Sequence, residues 1–172
     1  AAAYQDLGVA YSEQKQYKAA IETFHRAMTL LPKSPAPHYN LGLVYLKQGN
    51  FAPAILAFKR SIVLAPDFAD AYNGLGESYL KLGRFDEALE AYGKADQLNP
   101  NLLSTHYGLG QVYAKQGNYE QAITAYQSVI EIQPDYPDAY YNLAQVYIKL
   151  GKKEDAAKAM ERFETLRKTD PL

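Results

Sequence analysis

The apolar and glycine positions of this 172-residue chain recur at a fixed interval of 34 residues, five times over, without insertion or deletion. Slots are numbered 1 to 34 within each copy, beginning at Ala1. A fixed period of this length indicates tandem copies of one small structural unit, each packed on its neighbours, rather than one central core. The most regular slots are 7 and 8 (Leu7-Gly8, Leu41-Gly42, Leu75-Gly76, Leu109-Gly110, Leu143-Ala144), 11 (Tyr11, Tyr45, Tyr79, Tyr113, Tyr147), 20 (Ala20, Ala54, Ala88, Ala122, Ala156), 24 (Phe24, Phe58, Tyr92, Tyr126, Met160) and 32 (Pro32, Pro66, Pro100, Pro134, Lys168).

Each copy predicts a pair of α-helices. Slots 4, 7, 8 and 11 have the spacing of one helix face and predict helix A over about slots 1–14. Helix B is predicted to follow over about slots 18–30. The glycines at slot 15 predict left-handed ends for helix A (Gly49, Gly83, Gly117, Gly151). Polar residues just before helix A predict side-chain caps for its first amides (Ser34, Asp67, Asn101, Asp135).

These slots closely resemble the tetratricopeptide repeat (TPR) family, and the resemblance covers residues 1–170. It implies an all-α fold: a right-handed α-solenoid of five helix-turn-helix repeats, with a concave groove lined by the A helices. The repeats would span 1–34, 35–68, 69–102, 103–136 and 137–170. The chain departs from the family at slot 4, where Tyr or His replaces the frequent Trp. The fifth repeat also lacks the slot 8 glycine and the slot 32 proline.

The fifth copy has the composition of a terminal repeat, because 11 of the 19 residues from Lys152 to Asp170 are charged. A polar outer face keeps the end of a repeat array soluble. We therefore predict a C-terminal capping repeat; the alternative is a solvated helix that faces a further repeat. The chain begins Ala1-Ala2-Ala3 without an initiator methionine, although its first copy already fills the helix A slots. We expect a fragment of a longer protein.

In the TPR family, helix A residues outside the packing seam line the groove, and the resemblance transfers that role to slots 2, 5, 6, 9, 12 and 13. Tyrosines and a leucine there would supply rigid contact area with polar tips. Leu46, Leu80 and Ile148 at slot 12 are expected to extend the lining, and Gly74 and Gly108 to make the groove deepest in the middle. The alternative is that the tyrosines pack sideways between neighbouring A helices. The predicted groove residues are Tyr39, Asn40, Leu43, Lys47, Asn73, Glu77, Lys81, Tyr107, Gln111, Lys115, Tyr141, Asn142, Gln145 and Lys149.

Slot 13 is lysine in four consecutive copies, which are Lys47, Lys81, Lys115 and Lys149. A lysine row would steer an acidic partner to the groove, whereas a cation in the last turn of a helix also complements the helix dipole. Both interpretations remain open. Some TPR domains bind the C-terminal carboxylate of chaperones, but that ligand is not expected here. The corresponding residues of the first three copies do not match; they are Gln5, Val9, Asn40, Asp70 and Gly74.

Composition argues against several other functions. A net charge of −1 lacks the basic excess of a nucleic-acid-binding surface, and no apolar run is long enough to cross a bilayer. The absence of cysteine excludes thiolate metal sites and cysteine nucleophiles. The three histidines, His25, His38 and His106, are too scattered to form a metal site or a catalytic pair. We therefore expect no catalysis, cofactor, nucleic acid or membrane insertion, and the sequence assigns no cellular compartment.

The resemblance, together with these residues, implies a protein–protein interaction scaffold or adaptor that binds a peptide segment of a partner protein in the concave groove. One alternative is a scaffold that forms homo-oligomers through the solenoid ends, with Tyr4, Gln5 and Leu7 on the incompletely covered first helix. Another is a substrate-recruiting arm of a larger enzyme. The repeat specifies a scaffold and leaves the partner's identity open.

Overall fold

The computed structural model describes residues 2–169, which form ten α-helices in five consecutive pairs. The predicted all-α class is therefore confirmed for this part of the chain. The outer ends of the first and last predicted repeats, Ala1 and Asp170, lie outside the described residues. The helices are α1 (Ala2–Glu13), α2 (Tyr17–Leu30), α3 (Ala36–Lys47), α4 (Phe51–Leu64), α5 (Ala69–Lys81), α6 (Phe85–Leu98), α7 (Leu103–Gln116), α8 (Tyr119–Ile132), α9 (Pro137–Lys149) and α10 (Lys153–Thr169).

The helices belong to two compact units, one that holds α1–α6 and ends at residue 98, and one that begins at residue 99 and holds α7–α10. In the first unit each helix from α1 to α6 packs on the next in sequence. Among the A helices, α3 also contacts both α1 and α5. In the second unit α7, α8, α9 and α10 pack in chain order. Contacts between sequence neighbours are the packing expected of tandem helical repeats.

Aromatic rings at slot 24 fill the space between the two helices of a repeat. Phe58 and Tyr126 are buried, and each lies directly beneath a slot 8 glycine. A Cβ atom at Gly42 would lie 2.6 Å from Cε1 of Phe58, and one at Gly110 would lie 2.5 Å from Cε1 of Tyr126. Carbon atoms cannot pack that closely, so glycine at slot 8 is what allows helix A to rest on the ring.

Apolar clusters join helix B of one repeat to helix A of the next. In the first unit Phe24 of α2 packs in one cluster with Leu41 and Val44 of α3. In the second unit Tyr126 of α8 packs with Leu143 and Val146 of α9. The clusters hold successive A helices side by side, which places their remaining faces on a common surface within each unit.

The ends of helix A follow the sequence prediction at one terminus and not at the other. Gly49, Gly83, Gly117 and Gly151 have φ angles of 72–79°, the left-handed conformation predicted for them, and Lys15 adopts φ 59° at the same slot of the first repeat. The predicted caps at Ser34, Asp67, Asn101 and Asp135 are wrong. Helix A begins one residue later, and the residues at its N-cap make no side-chain capping bond; they are Pro35, Phe68, Leu102 and Tyr136.

Candidate functional site

In the first unit, α3 and α5 carry seven of the predicted groove residues. The two lysines, Lys47 and Lys81, are exposed at the ends of their helices, whereas the others are half-buried on the faces of α3 and α5. The half-buried residues are Tyr39, Asn40, Leu43, Asn73 and Glu77. Because α3 packs against α5, side chains from both helices share one surface.

Tyr39 is held in place by two other aromatic rings. Its ring centroid lies 5.8 Å from that of Phe58 on α4 and 4.8 Å from that of Phe68, the residue before α5. Burial raises the pKa of the Tyr39 hydroxyl, and the nearby carboxylates of Asp70 and Glu77 raise it further. The phenol is therefore a neutral hydrogen-bonding group on a rigid ring at neutral pH. Its ring contacts come from helix B of its own repeat and from the residue before α5, rather than from the side of a neighbouring A helix.

In the second unit, the equivalent tyrosine links two A helices directly. Asn142 Nδ2 on α9 donates a hydrogen bond of 2.9 Å to the Tyr107 hydroxyl on α7. The Tyr107 ring lies 6.0 Å from Tyr126 and 5.5 Å from Tyr136. Burial and Asp138 raise the Tyr107 pKa, while hydrogen bonds from Asn142 and Gln111 oppose the rise. This bond fixes the orientation of the Asn142 amide.

A small cavity brings three predicted groove residues together. Asn142, Gln145 and Lys149, all on α9, line a space of about 160 Å³ whose other walls come from α7, α8 and Val146. The cavity borders the buried ring of Tyr126 and has amide and ammonium groups at its edge. This combination can receive a small side chain while hydrogen-bonding the backbone that carries it.

The most exposed apolar groups on these faces lie on α9. Tyr141 is 43% exposed and Ile148 is 55% exposed, although the Tyr141 ring also contacts Phe163 of α10 at 5.3 Å. On α7, Gln111 is half-buried and Lys115 is exposed. The α9 surface therefore offers the larger apolar contact area in the second unit.

Two expectations about the groove lining are wrong. Leu80 is only 5% exposed, so it belongs to the packed interior of the first unit rather than to the groove. Gly74 does not deepen the groove, because a Cβ atom there would lie 2.5 Å from Cζ of Phe58. The space left by Gly74 is filled by that ring from α4, a long-range contact that helix periodicity does not reveal.

Sequence reasoning missed Phe68 and Tyr136, the aromatic residues of slot 34. They pack on Tyr39 and Tyr107 in the second and fourth repeats, forming the same three-ring arrangement with slot 24. The signal was available, because both the slot 5 tyrosines and the slot 34 aromatics recur together two repeats apart. A search for pairs of slots that vary together would have found them.

The four slot 13 lysines are exposed and lie in the last turns of α3, α5, α7 and α9. Lys47 Nζ lies 3.5 Å from Ser12 Oγ on α1, and Lys149 lines the small cavity. These positions suit both a role at the helix dipole and a role in attracting an anionic partner.

Two of the three histidines, His38 and His106, occupy slot 4 of helix A, whereas His25 is exposed on α2. His106 Nε2 is 2.7 Å from the carbonyl oxygen of Pro100, and at the same slot of the next repeat Tyr140 donates to the carbonyl of Pro134. Burial lowers the pKa of His38, and the positive charge of Arg60 lowers it further.

Across residues 2–169, no cluster of three or more histidine or carboxylate side chains is arranged to hold a metal ion. Nor does any helix in that range combine the length and apolar character needed to span a membrane.

Comparison with known proteins identifies the family. Models described as TPR repeat match residues 8–49 and 110–151, and models described as tetratricopeptide repeat match residues 39–102 and 137–170. No curated protein sequence matches the chain significantly.

Solved structures share the fold over nearly the whole chain. A crystal structure of MamA is 26% identical, with a TM-score of 0.85 over 94% of this chain and 95% of that one. MamA from Desulfovibrio magneticus RS-1 is 18% identical, with a TM-score of 0.87 over 98% and 96% of the two chains. YrrB, described as a TPR protein with an unusual peptide-binding site, is 22% identical, with a TM-score of 0.76 over 95% and 84%. The chain belongs to the tetratricopeptide repeat family and is a protein–protein interaction scaffold built from helix pairs.

Proposed function

We propose that the helix A faces bind a peptide segment of a partner protein and that the α9 face is the principal contact in the second unit. The observation that carries this proposal is the grouping of Asn142, Gln145 and Lys149 around one cavity, beside the exposed ring of Tyr141. The description of YrrB as having a peptide-binding site supports the same ligand class. No catalytic step is required for such a function.

The chemistry of this face suits an extended peptide. The side-chain amides of Asn142 and Gln145 can both donate to and accept from a peptide backbone. Tyr141 supplies apolar area with two rotatable bonds, so little side-chain freedom is lost on binding. Lys149 favours a carboxylate, and with the lysines of the other repeats it supports the proposal of an acidic partner.

The same proposal extends to the first unit, where Tyr39, Asn40, Leu43, Asn73 and Glu77 share the surface of α3 and α5. Phe58 and Phe68 fix the Tyr39 ring, so this surface is formed before a ligand arrives. Preorganisation of the receptor leaves most of the ordering cost to the peptide.

A peptide selected from a random display library against the full chain tests the proposal. Calorimetry would then compare the native chain with Gln145→Ala/Lys149→Ala on α9. Gln121→Ala/Lys158→Ala is the matched control, because it removes the same two side-chain types from exposed positions on the B helices α8 and α10. We expect the α9 variant to bind at least about tenfold more weakly and the control to bind normally.

Equal affinity for the α9 variant and the native chain would contradict the proposed contact surface. A loss shared by the α9 variant and the control would also contradict it, because the effect would then not belong to helix A. Helical content and the melting temperature are compared for all three proteins to show that the fold is retained.

Association between copies through α1 is a second candidate. Leu7 is 43% exposed, whereas leucines at the same slot of α3, α5 and α9 are buried against a preceding helix B. If copies associate through this face, the sedimentation mass should rise with protein concentration and Leu7→Gln should reduce the rise. A mass independent of concentration would exclude this candidate.

A further inference from the structure

The outer surface of α4 carries an apolar stripe that the other B helices lack. Leu56 and Val63 are 71% and 67% exposed, and their spacing of seven residues places them on one face of the helix. Apolar side chains this exposed, grouped on one helix, favour an interaction surface. At these two slots the other four repeats have only polar residues (Glu22 and Thr29, Glu90 and Gln97, Thr124 and Glu131, Lys158 and Thr165).

The outer surface of α6, the next helix B of the first unit, has a gap where the other repeats have side chains. A Cβ atom at Gly93 would meet no other atom within 4 Å, so packing within the chain does not require glycine there. Glycine inside a helix lowers its stability. The chain therefore gives up stability at a position that leaves open space. At this slot the other repeats carry larger residues (His25, Lys59, Gln127, Glu161).

The gap at Gly93 opens into the largest cavity described in the first unit. The cavity has a volume of about 660 Å³ and is lined by α4, α5 and α6. Tyr72, Leu75 and Tyr79 of α5 supply apolar wall, and the charged lining residues are balanced, with two lysines and two glutamates. Such a lining favours an uncharged side chain over an ion.

The outer surfaces of α4 and α6 carry opposite charge. The charged residues of α4 are Lys59 and Arg60, both exposed, and this helix has no carboxylate. In contrast, α6 has four carboxylates and one lysine, and its Asp86 and Glu90 are exposed. The two surfaces therefore complement each other in charge, and the apolar stripe of one complements the gap in the other. Like charges oppose the pairing of α4 with a second α4, or of α6 with a second α6.

From this complementarity we propose that the outer surfaces of α4 and α6 join two copies of this chain into a dimer. In it, α4 of each copy lies on α6 of the other. The leucine and valine of the α4 stripe cover the gap at Gly93. Lys59 and Arg60 face the carboxylates of Asp86 and Glu90. Because each copy contributes both helices, the contact is made twice about a two-fold axis and closes on itself. This interface is distinct from the helix A faces and from the exposed face of α1, and it depends on neither.

Sedimentation equilibrium of the full chain from about 1 μM to about 1 mM tests the dimer. We expect the mass to rise with concentration from one chain and to level off at two. Leu56→Thr/Val63→Thr introduces the residue that the same slots carry at Thr124 and Thr29, so the fold should be retained. It should weaken the dimer by at least about tenfold, because it removes the apolar side chains that cover the gap.

Two further variants separate the interface from a general effect of apolar surface. Leu30→Thr/Ile132→Thr is the matched control, because it removes two exposed apolar side chains from the ends of α2 and α8. It should dimerise like the native chain. Gly93→Gln fills the gap with the residue that Gln127 provides at this slot. It should weaken the dimer by at least about tenfold while the fold is retained or becomes more stable.

Charge reversal tests the pairing of α4 with α6. The α4 variant, Lys59→Glu/Arg60→Glu, makes both surfaces negative, and the α6 variant, Asp86→Lys/Glu90→Lys, makes both positive. Each variant alone should dimerise at least about tenfold more weakly than the native chain. An equimolar mixture should regain the dimer, because α4 of each variant then meets opposite charge on α6 of the other.

A fluorescent label on the α4 variant reports the mixed dimers by sedimentation velocity. Glu131→Lys/Glu154→Lys is the control for net charge, because it reverses two exposed carboxylates on α8 and α10 and gives the same net charge as the α6 variant. Mixed with the labelled α4 variant, it should pair at least about tenfold more weakly than the α6 variant does.

A mass of one chain over the whole concentration range would overturn the proposal, and so would growth beyond two chains. Native association in Leu56→Thr/Val63→Thr or in Gly93→Gln would also overturn it. A rise in mass that only Leu7→Gln reduces would overturn it in favour of the α1 face. Failure of the mixed charge-reversal variants to dimerise would refute the pairing of α4 with α6.

Discussion

At the scale of single residues, each slot 8 glycine is paired with the ring at slot 24. Gly42 lies over Phe58 and Gly110 over Tyr126, in both cases too close for a side chain. The fifth repeat changes both slots together, with Ala144 in place of glycine and Met160 in place of the ring. A flexible thioether can yield space to a methyl group that a rigid ring cannot.

This pairing predicts an energetic coupling. Gly110→Ala should lower the free energy of unfolding by about 1–3 kcal/mol, because the new methyl group overlaps the Tyr126 ring. In a Tyr126→Met background the same substitution should cost clearly less, since methionine can move aside. Chemical denaturation of the four proteins in the double-mutant cycle measures the coupling. Additive losses would show that the ring is not what excludes a side chain at Gly110.

Buried tyrosines at slot 24 predict a loss of stability at alkaline pH. Burial raises the pKa of Tyr92 and of Tyr126 in the folded chain, whereas a tyrosine in the unfolded chain titrates near pH 10. Their contribution is complete below about pH 10 and is lost as the pH rises further, because the unfolded state then releases protons more readily. Tyr92→Phe/Tyr126→Phe, which uses the residue of slot 24 in the first two repeats, should flatten the alkaline decline in unfolding free energy. Parallel declines in the two proteins would contradict this.

At the scale of the helix, slot 15 sets where helix A ends. Four repeats use glycine with φ near 75°, and the first uses Lys15 at φ 59°. A side chain in this left-handed conformation costs about 1–2 kcal/mol, partly offset because glycine loses more freedom on folding. Lys15→Gly should therefore raise the free energy of unfolding by about 0.5–1 kcal/mol, and Gly117→Lys should lower it by a similar amount. Thermal melts of both variants measure these changes, and effects of the same sign would contradict the explanation.

The positions and ends of the helices could be predicted from the sequence, whereas the helix caps and the burial of single residues could not. Helix positions and left-handed ends follow from local periodicity and glycine, so they were predictable. The caps were not, because Phe68 and Tyr136 occupy the N-cap and pack against Tyr39 and Tyr107 instead of a polar side chain closing the helix. Helix spacing alone places Leu80 and Gly74 on the groove face, whereas Leu80 is buried and the Phe58 ring of α4 fills the space beside Gly74. Local spacing predicts which face a residue lies on, whereas its burial depends on tertiary contacts.

At the scale of the whole molecule, charge is nearly balanced but unevenly distributed. The net charge is −1, yet the end of helix A carries an exposed lysine in four repeats, at Lys47, Lys81, Lys115 and Lys149. A charge that only complements the helix dipole contributes to stability. A charge that attracts a partner acts on the association rate and is screened by salt. The first role therefore predicts an effect on stability, and the second predicts a salt-dependent effect on the association rate.

If the lysines steer an acidic peptide, replacing all four by glutamine should slow its association by about tenfold at low ionic strength. Raising the salt concentration from about 0.01 M to about 0.15 M shortens the Debye length from about 30 Å to about 8 Å and should remove most of the difference. Stopped-flow fluorescence with a labelled acidic peptide selected on the native chain measures both rates.

The matched control replaces Lys18, Lys33, Lys153 and Lys158, which are exposed elsewhere, and so changes net charge equally. A control as slow as the helix A variant would assign the effect to total charge. Unchanged association with a lower melting temperature would assign the lysines to the helix dipole, because a charge that acts only on its own helix leaves the encounter with a partner unaffected.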